Sequence, residues 1–167
     1  LYLQSWKPYV HAVNSISDLR FAPFHILATE GQLHINRAHI WHMNESDLLS
    51  RVSDWIRPTN FLLVNTQQPE TMEKAIDWWL ESTAKGGEGA VIKPAHFVGT
   101  QPNKKLQPAI KCRGPEYLRM IYGPEYRLPG NLERLRERGL SRKRRLALQE
   151  FALGIQGLQH FVNGDSL

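Results

Sequence analysis

Short apolar runs separated by turn-forming residues dominate the first part of the chain, a pattern typical of strands. Residues 21–28 (FAPFHILA) predict a buried strand that ends in a turn at Gly31, and residues 32–35 are expected to return as its hairpin partner. Residues 61–64 predict another short strand. Between them, the apolar spacing over residues 44–55 predicts a helix.

The later part of the chain is more helical. Apolar side chains recur every three or four residues over 69–85, which predicts a helix with Gly86 as its C-cap glycine. Two strands are predicted at residues 90–93 and 108–112, on either side of a polar loop that contains Pro102 and Asn103. A short helix is predicted at residues 132–138, and a long helix capped by Ser141 is predicted from residue 141 onward. The pattern predicts an α+β fold with a mixed sheet first and a helical module last.

Composition narrows the class of protein. The 167 residues suffice for one globular domain with a core, and 41% of them are hydrophobic. No apolar run approaches the roughly 20 residues that span a bilayer, and no signal segment opens the sequence. A membrane role is therefore not expected. The single cysteine, Cys112, cannot form an internal disulfide, which fits a cytoplasmic protein.

Positive charge is concentrated late in the sequence. The formal net charge is +5, and residues 131–145 contain seven basic side chains against two acidic ones. Such a cluster suits a phosphate backbone or an acidic protein partner. An ordinary solvated helix face is the alternative.

Three histidines, His34, His39 and His42, lie close together in the sequence. Their spacing matches no common zinc module, and no second ligand cluster with cysteine accompanies them. The sequence therefore does not favour a zinc site.

The sharpest chemical signal is residues 86–93 (GGEGAVIK). Glu88 offers a hard oxygen ligand for a divalent metal, and Lys93 offers a point charge for a phosphate. Alternation along a strand would place the two side chains on opposite faces, so Glu88 must lie in the turn before the strand if both are to reach one site. An ordinary glycine turn into a strand is the alternative.

Two further segments add to this signal. Lys111 and Arg113 share one face of the next predicted strand, where they could clamp a phosphate. Phe24 offers a flat ring that could stack on a base, although a plain core position is the alternative.

In order, FAPFHILATEG, GGEGAVIKP and IKCRG resemble the motifs of covalent nucleotidyltransferases: DNA ligases, RNA ligases and mRNA capping enzymes. Arg113 stands where the last motif usually has a second lysine. The run QPAIKCRGPEYLRMIYGPEY, followed by NLERLRERGLSRKRRLALQEFALG, is similar to the ligase domain of bacterial polynucleotide kinase-phosphatase-ligase RNA repair proteins. This likeness covers residues 6–167.

The resemblance implies a partial covalent-nucleotidyltransferase domain over residues 6–114 and a C-terminal helical module over residues 115–167. Residues 1–5 are either the remnant of a cleaved tag or native sequence. The implied cofactors are ATP and a divalent metal, Mg²⁺ or Mn²⁺, and the implied substrates are RNA ends. The roles carried over are metal binding for Glu88, contacts with the transferring phosphate for Lys93 and Lys111, adenine stacking for Phe24 and, less exactly matched, nucleotide binding for Arg113.

The family's adenylated lysine lies in a KxxG motif upstream of these segments. Here only Lys111 begins such a motif, and it follows the EGAVIK strand instead of preceding the aromatic one. The chain is therefore expected to be part of a longer ligase and to be inactive alone. The alternative function is a docking module that binds an RNA 3′-terminal 2′-O-methyltransferase, the partner implied by the resemblance.

Overall fold

The structure, a computed structural model, describes residue 10 and residues 12–101 and 104–165. The predicted tag remnant at residues 1–5 and the predicted loop residues Pro102 and Asn103 lie outside this part. Within it the chain is α+β, as the sequence predicts, and it contains five α-helices and three two-stranded sheets. In chain order these elements are β1 (Ala28–Thr29), β2 (Gln32–Leu33), α1 (His39–Arg51), α2 (Pro69–Ala84), β3 (Gly89–Ile92), β4 (Thr100–Gln101), β5 (Lys104–Lys105), β6 (Ile110–Arg113), α3 (Pro115–Tyr122), α4 (Pro129–Arg136) and α5 (Ser141–Asn163).

The described residues divide into two compact units, each assembled from separate stretches of chain. Unit 1 contains residues 62–92 and 111–139 with the described residues up to 14. Unit 2 contains residues 15–61, 93–110 and 140–165. The predicted domain boundary at residue 114 stays a prediction. No helix in the described part of the chain is long and apolar enough to span a membrane.

Unit 1 is built around α2, β3 and β6. Helix α2 begins with a proline at its first position and is followed by Gly86 at φ +89°, which confirms the predicted helix and its terminal glycine. Strands β3 and β6 are hydrogen-bonded neighbours. The indole of Trp79 donates a 2.9 Å hydrogen bond from Nε1 to the carbonyl oxygen of Cys112, which ties α2 to β6.

Gly89 explains why the turn into β3 requires glycine. Its φ is +121°, and a Cβ at this position would lie 2.1 Å from the carbonyl oxygen of Cys112. Glycine at position 89 therefore permits the close approach of the neighbouring strand.

The end of unit 1 holds the short helices α3 and α4, each of which begins with a proline. The buried Tyr126 donates from its hydroxyl to the carbonyl oxygen of Pro115 at 3.0 Å, which fastens the segment after α3 to the start of that helix. The predicted short helix at residues 132–138 is present, but it begins three residues earlier and ends two residues sooner.

In unit 2 the predicted hairpin is confirmed, although each of its strands has only two residues. Strands β1 and β2 pair antiparallel, with Ala28 opposite Leu33. The predicted strand over residues 21–28 is otherwise wrong: Phe21 forms only an isolated bridge to Ile56, and residues 22–27 have no ladder. Pro23 lies within this run and has no N–H to donate, which interrupts strand pairing.

Helices α1 and α5 complete unit 2. Helix α1 starts five residues before the predicted residue 44 and buries His42, Met43 and Ser46. Helix α5 contacts β2, and the ring centroids of Phe151 and Phe97 are 5.7 Å apart. Ser141 is the first helical residue of α5 and not its cap, since Leu140 occupies the cap position without a side-chain hydrogen bond.

The predicted strand at residues 61–64 is also wrong. Its four side chains are between 41% and 69% exposed, and none of these residues is paired in a ladder. An apolar run bounded by turn residues fits exposed extended chain as well as it fits a strand, because the difference depends on a partner strand.

Candidate functional site

Lys93 lies against an aromatic side chain in unit 2. Its Nζ atom is 4.4 Å from the ring centroid of Phe24, within the range of a cation–π interaction. The same atom is 3.0 Å from Nε2 of His25. Lys93 is half-buried, and burial lowers the pKa of its ammonium below the usual range. The structure therefore brings together two residues that the sequence analysis selected, Phe24 and Lys93, and adds His25.

A group of rings surrounds His25. Its centroid lies 4.9 Å from that of His39, 5.3 Å from that of His42 and 5.0 Å from that of Phe97. Burial, followed by the charge of Lys93, lowers the pKa of His25 to about 3 and that of His39 to about 4. Both imidazoles are consequently neutral at neutral pH.

His42 is fully buried, and burial is also the main cause that lowers its pKa. Its Nδ1 accepts a 3.2 Å hydrogen bond from the backbone N–H of Ile26, so the ring proton belongs on Nε2. His34 stands apart, with its Nε2 3.0 Å from Oγ1 of Thr29 and its ring centroid 4.8 Å from that of Trp41. In the described part of the chain, no group of three or more histidine, cysteine, aspartate or glutamate side chains is arranged to hold a metal ion.

Glu88 and Arg113 form a second pair, in unit 1. Glu88 immediately precedes β3 and so lies before the strand, as expected, two residues after the turn at residues 85–86. Arg113 donates from Nη1 to Oε2 of Glu88, and its guanidinium carbon lies 4.4 Å from the ring centroid of Tyr117. The backbone also fixes this turn, because the N–H of Gly114 donates to the carbonyl oxygen of Glu88 at 2.8 Å.

Lys111 lies two residues before Arg113 on β6, as the sequence predicts, but the environments of the two side chains differ. Lys111 is exposed, whereas the Arg113 side chain is only 25% exposed. Among the described residues Lys111 has no acidic partner. Its ammonium is therefore available to an anion.

The donor set is consistent with a metal that is held mostly by its substrate. Magnesium in nucleotide enzymes is commonly bound by one or two carboxylates together with substrate phosphates. Glu88 supplies one such carboxylate, with its side chain 49% exposed. Because Arg113 is already paired with Glu88, a metal ion would share the Glu88 carboxylate with Arg113 or displace Arg113 from it.

His25 is the residue that the sequence analysis missed. His34, His39 and His42 are close in sequence, whereas His25 meets His39 and His42 only in the folded chain. The available signal was its place directly after Phe24 in the aromatic motif.

Comparison with known families gives one match over the whole chain. The model of the family described as "PNKP adenylyltransferase domain, ligase domain" matches residues 1–167. The comparison with curated proteins finds no match.

Proposed function

Because the chain belongs to the PNKP adenylyltransferase, or ligase, domain family, we propose that it is part of an ATP-dependent RNA ligase. The parent protein is a bacterial, cytoplasmic RNA end-healing and sealing enzyme with kinase and phosphatase activities as well. Its substrates are RNA ends, and its cofactors are ATP and Mg²⁺ or Mn²⁺. The family match over residues 1–167 is the observation that carries this proposal.

In unit 2, Phe24 stacks on adenine and Lys93 neutralises the transferring phosphate. Phe24 is 53% exposed, and Lys93 covers one face of its ring. We therefore assign adenine to the opposite face. Base–aromatic stacking contributes about 1–3 kcal/mol per base. Charge stabilisation by Lys93 is strengthened by its partial burial.

In unit 1, Glu88 helps to hold the metal ion and Lys111 contacts the phosphate. A bound metal would supply positive charge that stabilises the α-phosphate of the transferring adenylyl group. Arg113 orients the Glu88 carboxylate and adds a cation beside it. We do not assign the nucleophile to Lys111, because its KxxG sequence follows the EGAVIK segment instead of preceding the segment that contains Phe24.

The experiment that tests this proposal is ATP binding by the chain in the presence of Mn²⁺, measured by calorimetry. Lys93→Met should weaken binding roughly tenfold, a loss of about 1.4 kcal/mol. Phe24→Leu should weaken it roughly fivefold or more. Lys85→Met is the matched control, since this exposed lysine is paired with Glu81 on α2. Equal ATP affinity in all four proteins would contradict the proposed roles.

The nucleophile is tested separately by incubating the chain with radiolabelled ATP and Mn²⁺ and running a denaturing gel. No covalent label should remain on the 167-residue chain. A label that disappears in Lys111→Met would show that Lys111 is the adenylated residue, contrary to the proposal.

A second function, docking of an RNA 3′-terminal 2′-O-methyltransferase that activates the ligase, is favoured by the surface of α5. This helix exposes large apolar side chains: Leu146 at 45%, Leu153 at 66% and Phe161 at 73%. Size-exclusion chromatography with light scattering, on the chain alone and mixed with such a methyltransferase, tests the idea. A one-to-one complex that Leu153→Glu abolishes supports docking, and a chain that stays monomeric contradicts it.

A further inference from the structure

Lys93 has no acidic partner among the described residues, yet two neighbours hold its ammonium. Nε2 of His25 lies 3.0 Å from Nζ, and the ring centroid of Phe24 lies 4.4 Å from it. We propose that His25 is a positioning residue that accepts a hydrogen bond from Lys93 and fixes its ammonium for an incoming phosphate. This inference rests on the proposed role of Lys93 in binding the nucleotide.

The direction of the hydrogen bond follows from the two groups. A lysine ammonium has three donors and no acceptor, so Nε2 of His25 must accept and the ring proton must be on Nδ1. The imidazole is then neutral. Burial lowers the pKa of His25 to about 3, which agrees with this protonation state across the physiological range.

His25 is itself firmly placed. Its ring lies 4.9–5.3 Å, centroid to centroid, from His39, His42 and Phe97, the last two of which are buried. A side chain packed on several sides loses little further freedom when it binds, and it can therefore act as a fixed support.

The contacts with His25 and Phe24 restrict the conformations of the Lys93 side chain. A lysine side chain carries about 2 kcal/mol of rotamer entropy, part of which a ligand must otherwise remove. Here one N–H points to His25 and the ring face of Phe24 attracts the ammonium, which leaves a further N–H for a phosphate oxygen. The ammonium is thus held without an acid that would neutralise it.

The test compares His25→Leu, which removes the acceptor, with His25→Gln, whose amide oxygen can replace Nε2. His160→Leu, on α5, is the matched control.

The first measurement needs no nucleotide: it is the rate of Lys93 acetylation by acetic anhydride, followed by mass spectrometry with Lys85 as internal reference. Only the neutral amine reacts with acetic anhydride. His25→Leu should raise this rate at least threefold, because it removes the acceptor that stabilises the charged form of Lys93. His25→Gln should restore it to within twofold, and His160→Leu should leave it unchanged.

The second measurement is ATP affinity in the presence of Mn²⁺. We expect His25→Leu to weaken binding threefold to tenfold and His25→Gln to recover most of the loss. If Lys93→Met leaves ATP binding unchanged, the proposed function fails, whereas the acetylation result still decides the positioning role. Unchanged Lys93 acetylation in a folded His25→Leu protein would overturn the inference, whatever the ATP affinity is.

A measurement on the unaltered chain covers the case in which His25→Leu does not fold. The ¹⁵N chemical shifts of the His25 ring at neutral pH report which nitrogen carries the proton. A protonated Nδ1 with a bare Nε2 is expected. A proton on Nε2, or on both nitrogens, is incompatible with acceptance from Lys93 and would overturn the proposal.

Discussion

Arg113, the last residue of β6, forms an ion pair with Glu88, the residue that precedes β3. The carboxylate assigned to the metal is thus already neutralised by a cation of its own unit. Exposed ion pairs typically contribute only about 0.2–1 kcal/mol, so this pairing can yield to a stronger cation. We therefore expect Arg113 to keep the carboxylate oriented until a metal ion replaces it.

This pairing predicts a competition between Arg113 and the metal. Arg113→Gln should raise the affinity of the chain for Mn²⁺ about twofold to fivefold, the equivalent of an ion pair worth up to about 1 kcal/mol. The measurement is paramagnetic broadening of the backbone amide signals of Glu88 and Gly89 during a Mn²⁺ titration. Glu88→Gln should remove the broadening.

The matched control is Arg119→Gln, which breaks the ion pair of Arg119 with Glu116 on α3 of the same unit. It should leave the broadening near Glu88 unchanged. Weaker Mn²⁺ binding in Arg113→Gln would show that Arg113 assists the metal instead of competing with it.

Two glycine substitutions should change stability in opposite directions. Gly89→Ala forces a Cβ to within 2.1 Å of the carbonyl oxygen of Cys112 at φ +121°, and should cost about 1–3 kcal/mol or more. Gly154 lies inside α5 with nothing within 4 Å of its Cβ position. Gly154→Ala should stabilise the chain by about 0.8–1 kcal/mol. Urea unfolding followed by tryptophan fluorescence measures both, and a Gly89→Ala protein as stable as the original would contradict the packing at β3.

The elements that the sequence predicted well carry strong local signals. Helix α2 combines a proline at its start, apolar spacing and a terminal glycine, all of which act within a few residues. The hairpin of β1 and β2 has the same character, because Gly31 at φ +67° satisfies its turn locally. In such segments local chemistry and the final structure agree.

The errors occur where the outcome depends on distant partners. Phe21 pairs only with Ile56, so the apolar run after it lacks a strand to join. The start of α1 at His39 depends on a backbone bond from its N–H to the carbonyl oxygen of Ala95, 2.9 Å away and far along the chain. The site shows the same division. The motifs in the sequence predicted Phe24 and Lys93 as site residues. His25 becomes a candidate only through its contact with Lys93, which the sequence does not reveal.

The basic residues at the start of α5 predict a conflict between stability and RNA binding. Arg142, Lys143, Arg144 and Arg145 are all exposed, no acidic residue lies in the first turn, and no side chain caps the helix. The helix dipole places partial positive charge at this end, so cations here are unfavourable by about 0.3–1 kcal/mol each. Arg142→Gln should therefore stabilise the chain by that amount.

The same charges should bind the phosphates of single-stranded RNA. The slope of log affinity against log salt is negative, and each lost contact reduces its magnitude by about 0.7. The double variant Arg142→Gln with Arg145→Gln should therefore reduce the magnitude by about 1.4. Arg134→Gln with Arg136→Gln, on α4, is the control of equal charge. Fluorescence anisotropy with an oligonucleotide measures the slope, and equal slopes in both double variants would rule out a specific contribution from α5.

The histidines of unit 2 predict that the chain loses stability on mild acidification. Burial and Lys93 lower the pKa of His25 to about 3 and that of His39 to about 4, against about 6.5 in the unfolded chain. Between these values the unfolded state binds more protons, so stability rises with pH up to about 6.5 and falls as pH drops below it. Each histidine contributes a slope of at most about 1.4 kcal/mol per pH unit.

His39→Phe preserves the ring stacked on Phe97 and removes one titrating group, so the slope between about pH 5 and 6.5 should decrease. Urea unfolding across this range measures the slope, and the curves above about pH 7.5 serve as the internal control, since they should run parallel. An unchanged slope in His39→Phe would mean that His39 is not held neutral by the fold.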